Sequence, residues 1–173
     1  TGYRRDGVSM LAPDGTEQWY VSGWDRGPGQ VEVAQDRIYV GSDPVVAIDR
    51  NGSEQWRQSV GGRIFRSSPE DRMLDGLILE TGESVTALSR DSGEVRWTWT
   101  PDSSNHVQVK AKLGTRPVVT TGIGRTRELV VLDDNHGEPV GMFSTPMDHS
   151  SVESIASRLF VGSVNTVYGY VIC

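Results

Sequence analysis

A polar turn that carries glycine and is followed closely by glutamate and tryptophan recurs about every 40 residues, and this repeat constrains the fold more than any other feature. Its copies lie at 12–19, 49–56, 89–97 and 133–141. The turn glycines are 37, 41 and 44 residues apart, and the fourth copy lacks the tryptophan. A fixed period of this length is the signature of a repeat architecture.

A second element repeats in step with the first. Residues 37–42 read Arg-Ile-Tyr-Val-Gly-Ser, and residues 158–163 read Arg-Leu-Phe-Val-Gly-Ser. Looser copies lie at 76–82 and 116–122. Because two independent elements keep the same spacing, we interpret the chain as a tandem array in one domain, 1–173, with units at 7–23, 29–60, 63–101, 106–146 and 151–173.

Each complete unit is expected to form four short strands. In the second unit these are 30–34, 37–41, 45–49 and 54–58, which are rich in β-branched and aromatic residues and separated by Gly, Asp or Asn. The third strand is a continuous apolar run, typical of a strand that is covered on both faces. No segment has a 3.6-residue period, so we expect essentially no helix. We predict an all-β protein, a β-propeller of about four four-stranded antiparallel blades.

The terminal units are incomplete. Residues 9–12 and 17–21 give the last two strands of one unit, and residues 152–156, 158–162 and 167–172 give the first strands of another. If these pair, they complete one blade and close a monomeric four-bladed ring. The alternative is a piece of a larger propeller whose unpaired edges favour association.

The composition excludes several classes of function. The chain has 17 basic and 23 acidic residues, a net charge of −6, which disfavours a nucleic-acid partner. A single cysteine, Cys173, excludes an internal disulfide framework and any multi-cysteine metal site. No apolar run reaches the ~18 residues of a membrane-spanning helix. The chain opens at Thr1 without methionine, so we expect it to be processed or trimmed.

The repeated turn resembles a known family motif. Residues 46–56 and 86–97 follow the pattern Ala-x-Asp-x-x-x-Gly-x-x-x-Trp, although the first turn is one residue shorter and Ser89 replaces the aspartate in the second. This pattern is similar to the PQQ-like propeller repeat of quinoprotein alcohol dehydrogenases and of BamB-type outer-membrane assembly factors. The resemblance extends from Val8 to Ile172.

The resemblance implies a structural role for the repeated residues. The tryptophan of each unit is expected to dock between neighbouring blades, and the turn glycine fits where the next blade comes close. In the fourth unit, Met142 or Phe143 would fill the same gap. The expected docking residues are Gly15, Trp19, Gly52, Trp56, Gly93, Trp97 and Gly137.

Candidate sites for chemistry each have a structural interpretation that we favour. Residues 49–54 and 133–138 space oxygens as a calcium loop does, but they lack the later bidentate acid and are better explained as Asx turns. His106, His136 and His149 have no metal spacing and are expected in surface loops. Residues 122–125 lack the Lys-Ser/Thr of a phosphate loop and are expected to join two strands. We therefore expect no catalytic residue, bound metal or cofactor.

Trp24 and Arg26 lie in a polar Gly-rich loop, outside the repeated positions. An exposed tryptophan beside an arginine would suit contact with a protein partner or a sugar. The alternative is an indole folded back over a sheet edge.

These observations favour a non-catalytic scaffold that binds an unidentified protein partner, as BamB-type proteins do. The resemblance implies a location outside the cytoplasm. Two alternatives stay open. One is a piece of a larger quinone- and calcium-dependent dehydrogenase or other propeller enzyme, and the other is a surface sensor or ligand-binding module.

Overall fold

Every regular element that the structure describes is a β-strand. The computed structural model describes residues 6–25, 27–34, 36–65, 76–102, 106–122, 127–145, 149–155, 158–163 and 167–171. The strands are β1 (Gly7–Leu11), β2 (Glu17–Ser22), β3 (Gln30–Val33), β4 (Arg37–Gly41), β5 (Val45–Asp49), β6 (Glu54–Gln58), β7 (Arg63–Ile64), β8 (Gly76–Glu80), β9 (Val85–Ser89), β10 (Val95–Trp99), β11 (Val107–Leu113), β12 (Arg116–Thr121), β13 (Arg127–Leu132), β14 (Pro139–Thr145), β15 (His149–Ile155), β16 (Arg158–Ser163) and β17 (Val167–Val171). The prediction of an all-β chain is confirmed. These ranges contain no helix that could cross a membrane.

The strands form five antiparallel sheets in chain order. Sheet 1 is β1–β2, sheet 2 is β3–β6, sheet 3 is β7–β10, sheet 4 is β11–β14 and sheet 5 is β15–β17. Within each sheet, every strand pairs with its neighbour in the chain. The three central sheets each have four strands, as the repeat predicts.

The third strand of a unit is buried on both faces. In β5, Val45 and Ala47 pack towards sheet 3, while Val46 and Ile48 pack towards sheet 1. All four side chains are fully buried. The continuous apolar run has this physical cause, since neither face of the strand meets solvent.

The hydrophobic core is divided among the gaps between consecutive sheets. Between sheets 3 and 4, Ile78 and Val85 of sheet 3 pack with Val107, Val119 and Val130 of sheet 4. Equivalent clusters occupy the other three gaps between consecutive sheets. Each sheet is therefore stabilised mainly by its neighbours in the array.

The two terminal sheets are separate. Sheet 1 has two strands and sheet 5 has three, and no strand of one pairs with a strand of the other among the described residues. Together they hold five strands, one more than a single four-stranded blade. The pairing expected for a closed four-bladed ring is thus not formed in the described part of the chain.

Candidate functional site

The repeat tryptophans of sheets 1, 2 and 3, which are Trp19, Trp56 and Trp97, each reach across to the turn of the next sheet. Each indole nitrogen donates a hydrogen bond to a main-chain carbonyl oxygen there, over these distances: Trp19 to Arg50, 3.0 Å; Trp56 to Arg90, 2.9 Å; Trp97 to Asp134, 2.7 Å. The Trp56 and Trp97 side chains are buried in the gaps. Burial of an indole whose N–H has no hydrogen-bond partner is destabilising. These bonds supply the partner, so the rings can fill the gaps without that cost.

The turn glycines lie directly under these rings. A Cβ on Gly52 would come within 2.6 Å of Cγ of Trp19, and Gly93 and Gly137 stand in the same relation to Trp56 and Trp97. Gly52 also has a φ of +85°, which side chains with a Cβ adopt at a cost. Its position therefore requires glycine for two reasons, the backbone angle and the close ring.

The fourth gap is filled differently. In sheets 2 and 3 the tryptophan pairs with the alanine of the third strand. In sheet 4, Val131 occupies the position of that alanine, and its partner is Gly141. Phe143, two residues further along the same strand, packs on the cluster between sheets 4 and 5. A Cβ on Gly141 would lie 3.3 Å from that ring. Phe143 thus leans over the place that a tryptophan takes elsewhere, whereas Met142 is 58% exposed.

A polar cluster around the Arg90 carbonyl joins sheets 2 and 3. This oxygen accepts from Arg37 at 2.7 Å, Trp56 at 2.9 Å and the Tyr39 hydroxyl at 3.4 Å. The Arg90 guanidinium pairs with Glu32 at 2.8 Å and lies 5.1 Å from the centre of the Tyr39 ring. Burial raises the pKa of Tyr39 above its ordinary value of 10.0, against the opposing effect of Arg90. Sequence analysis missed this cluster because its members are up to 58 residues apart.

Trp24 is not exposed. Its side chain is 1% accessible, packs with Val40 and Val46 between sheets 1 and 2, and donates to the carbonyl of Pro44 at 2.8 Å. The Arg57 guanidinium lies 5.7 Å from its ring centre. The exposed position expected for a partner contact is therefore wrong, and the folded-back alternative is the observed one. Arg26 lies outside the described residues.

The calcium-like loops are hydrogen-bonded turns. In the turn of sheet 2, Oδ1 of Asp49 accepts from the main-chain N–H groups of Asn51 and Ser53, at 2.8 and 2.9 Å. In sheet 4, Oδ1 of Asp133 accepts in the same way from His136 and Asn135, and these bonds hold the pKa of that carboxyl below its ordinary 3.8. The carboxylates are therefore occupied in forming the turns.

The three histidines lie on different elements of the chain. His136 lies in the sheet 4 turn, with Nδ1 3.1 Å from Oδ1 of Asp133, and His106 precedes β11. His149 begins β15, so the loop position expected for it is wrong. Within the described ranges, no cluster of three or more His, Cys, Asp or Glu side chains could hold a metal ion.

Two small clefts lie beside sheet 4. The first, of about 190 Å³, opens between sheets 3 and 4 and is lined by Trp99, Thr100, Pro101, Asp102, Thr121, Gly122, Glu128, Val130, Pro139 and Met142. The second, of about 170 Å³, shares Thr121 and Gly122 with it and adds His106, Thr120 and Arg127. A third, of about 590 Å³, lies over the Arg90 cluster, where the arginines already have partners. Of these three clefts, the first is lined mainly by apolar and acidic side chains.

Comparison with known proteins identifies the family. A family model described as outer membrane protein assembly factor BamB matches residues 4–171, which is nearly the whole chain. The chain belongs to this family. The match confirms the BamB-type, PQQ-like repeat suggested by the tryptophan motif. No curated protein matches the chain significantly.

Solved structures similar to this BamB-family chain have the same propeller architecture. BamB from Moraxella catarrhalis superposes with a TM-score of 0.65 at 17% identity, over 95% of this chain and 55% of that chain. Hsv2 from Kluyvelomyces marxianus gives 0.64 at 12%, over 96% and 54%. The WD40 domain of Toxoplasma gondii coronin gives 0.62 at 13%, over 91% and 45%. At these identities the likeness extends to the fold alone.

The BamB-family chain spans about half the length of these natural structures. A computationally designed protein, Ika4, is matched over 94% of its length, with a TM-score of 0.60 at 10% identity. The propeller fold predicted from the repeat is thereby confirmed.

Proposed function

We propose that the chain is a non-catalytic propeller scaffold that presents the loops between its sheets to a protein partner outside the cytoplasm. BamB-family membership supports this location and a protein as the partner. The proposal rests on one observation, the contacts that the repeated residues make. The indole N–H groups of Trp56 and Trp97 are directed to the turns of neighbouring sheets, and the carboxylates of Asp49 and Asp133 are directed to their own turns.

The array of sheets supports this function, because recognition of a partner can depend on the connecting loops, which differ between units. Loops held on a rigid array keep their geometry while their sequences vary. The turn and docking residues repeat, whereas the segments that connect one sheet to the next, 23–29, 59–62, 100–106 and 146–148, differ in length and share no repeated motif. The net charge of −6 favours a protein over a nucleic-acid partner.

The test combines photocrosslinking with a measurement of affinity. A photoreactive amino acid is placed at Asp25 and at Asp102, which are exposed and lie in connections between sheets, and the chain is incubated with cell-envelope extract. We expect one main crosslinked protein, which is then purified and titrated against the unmodified chain by calorimetry. The matched control carries the photoreactive group at Val46, which is fully buried.

The same preparation tests the enzyme alternative. Dye reduction that requires added PQQ and calcium, or a quinone absorbance band retained after gel filtration, would contradict a non-catalytic scaffold. Absence of any saturable protein complex would also contradict it.

A further inference from the structure

We propose that the first cleft, between sheets 3 and 4, binds an arginine side chain of a protein partner. This inference rests on the proposed scaffold function and specifies the chemistry that such a partner presents. The cleft lies at the surface above the cluster that joins these two sheets, to which Val130 and Trp99 both contribute.

One wall of the cleft is a single face of sheet 4. Thr121 pairs directly with Glu128, and Val130 pairs with Met142. Residues opposite each other in antiparallel strands, and residues two apart in one strand, lie on the same face. Thr121, Glu128, Val130 and Met142 therefore project towards the same side, and all four line the cleft.

The opposite wall comes from the end of β10 and the residues that follow it. Trp99 is half-buried against the cluster between the sheets, and Pro101 and the exposed Asp102 continue the wall. An indole face attracts a cation that is placed over it. The chain already uses such contacts internally, since guanidinium groups lie 5.7 Å from the Trp24 ring and 5.1 Å from the Tyr39 ring.

The charges of the cleft favour a cationic occupant. Asp102 and Glu128 are its charged lining residues, and both are acidic. Thr121 is 7% exposed, and its Oγ1 has no hydrogen-bond partner among the described residues. A buried hydroxyl without a partner costs free energy. A guanidinium donor entering the cleft would supply the missing partner.

The size of the cleft favours one side chain over a small-molecule ligand. Its volume of about 190 Å³ is below the ~300–1,000 Å³ of typical small-molecule sites. Arginine fits better than lysine, because a planar guanidinium can stack on an indole ring while it offers several N–H donors to carboxylates. Lysine presents a compact charge that is held less well by such a pair.

The experiment follows the tryptophan indole signals in ¹H–¹⁵N NMR spectra. The probe is a short Gly/Ser peptide with blocked ends and one central arginine, compared with the same peptide carrying citrulline or lysine. We expect the arginine peptide to shift the Trp99 signal, the lysine peptide to shift it less, and the citrulline peptide to leave it in place. The Trp56 and Trp97 signals serve as internal references because those rings are buried.

Charge-neutral variants locate the binding site. Asp102→Asn with Glu128→Gln is expected to weaken the arginine peptide about tenfold, from the loss of charged hydrogen bonds. The matched control, Arg127→Gln, changes the adjacent residue of the same strand, which lines the second cleft, and is expected to leave the affinity unchanged. An equal response to citrulline, an unmoved Trp99 signal, or full binding by the neutralised variant would overturn the proposal.

The partner titration separates this proposal from the scaffold function. If the purified partner binds the neutralised variant as well as the unmodified chain, the arginine cleft is wrong and the scaffold stands. If the arginine peptide shifts Trp99 and no protein partner is found, the preference of the cleft for arginine stands, but its assignment to a protein partner and the scaffold function are wrong.

Discussion

The gap between sheets 2 and 3 and the gap between sheets 4 and 5 solve the same packing problem differently. In the first, the Trp56 ring covers Gly93 and donates to the next turn, and the Tyr39 ring lies 5.9 Å away. In the second, Phe143 leans over Gly141 and brings no N–H donor. An aromatic ring on the outer strand is therefore common to both interfaces, whereas the indole hydrogen bond is not.

Strand geometry explains how phenylalanine takes the place of tryptophan. Side chains two residues apart lie on the same face, so Phe143 faces sheet 5 from two positions beyond Gly141. The repeat position itself is Gly141, which has no side chain, so the Phe143 ring can extend back over it. The repeat position thus marks a gap between sheets that an aromatic ring fills, and that ring need not be tryptophan.

The largest expected effect is at the tryptophan interface. Trp56→Ala should cost about 3–5 kcal/mol of unfolding free energy, because it removes a buried ring and leaves a cavity. Urea unfolding measures the loss. The control Val95→Ala, at a 45% exposed position, should cost below ~0.5 kcal/mol. A loss below ~1 kcal/mol for Trp56→Ala would mean that this residue does not dock the sheets.

Two glycines with the same backbone angle separate strain from ring contact. Gly15 and Gly52 both have φ of +85°, but only Gly52 has a ring beside its Cβ position. Gly15→Ala should cost about 1–2 kcal/mol from the backbone angle alone. Gly52→Ala should cost about 2–4 kcal/mol, since the new methyl also displaces Trp19. Equal melting-temperature shifts in the two variants would show that the ring contact is unimportant.

The phenylalanine interface should be the weaker one. Phe143→Ala is expected to cost about 1–3 kcal/mol, less than Trp56→Ala, because the ring is only partly buried and no carbonyl acceptor loses its donor. Chemical denaturation of both variants under the same conditions makes the comparison. If Phe143→Ala costs as much as Trp56→Ala, the hydrogen bond contributes nothing to the difference between the two gaps.

The smallest effect concerns the turn that receives Trp97. The pKa of Asp133 is lowered in the folded state, so its contribution to stability is present above 3.8 and is lost as the pH falls through the lowered value. Asp133→Asn should therefore melt slightly below the unmodified chain at neutral pH. The difference should disappear in acid. A difference that stays constant across the titration would exclude the carboxylate charge as its cause.

The repeat allowed most of the fold to be predicted, because turn chemistry and apolar runs are local. Strands 37–41, 45–49 and 54–58 agree with the structure to the residue, since Gly, Asn and Asp fix their ends. Trp24 was ambiguous because one indole in a polar loop has no period to show which way it faces. Whether the first and last strands of the chain pair could not be predicted, because the sequence pattern does not show which sheet edges lie side by side.

The candidate cleft could not be predicted, for a different reason. Thr121 and Glu128 are paired within sheet 4, but Trp99 meets them only through the packing of sheet 3 on sheet 4, and that geometry leaves no pattern in the sequence. Lys112 is a similar case. It lies on a strand of otherwise ordinary pattern, yet it is 4% exposed, with its ammonium 5.7 Å from the Phe65 ring.

The placement of the core between the sheets has a consequence for how such chains change length. Each interface joins residues about one repeat apart, so the contacts needed by any unit are supplied by the two beside it. Duplicating or excising a whole unit would join two faces of the same general plan, since an aromatic ring of the outer strand packs in both kinds of gap. Growth by tandem copying can then proceed without the redesign of an interior.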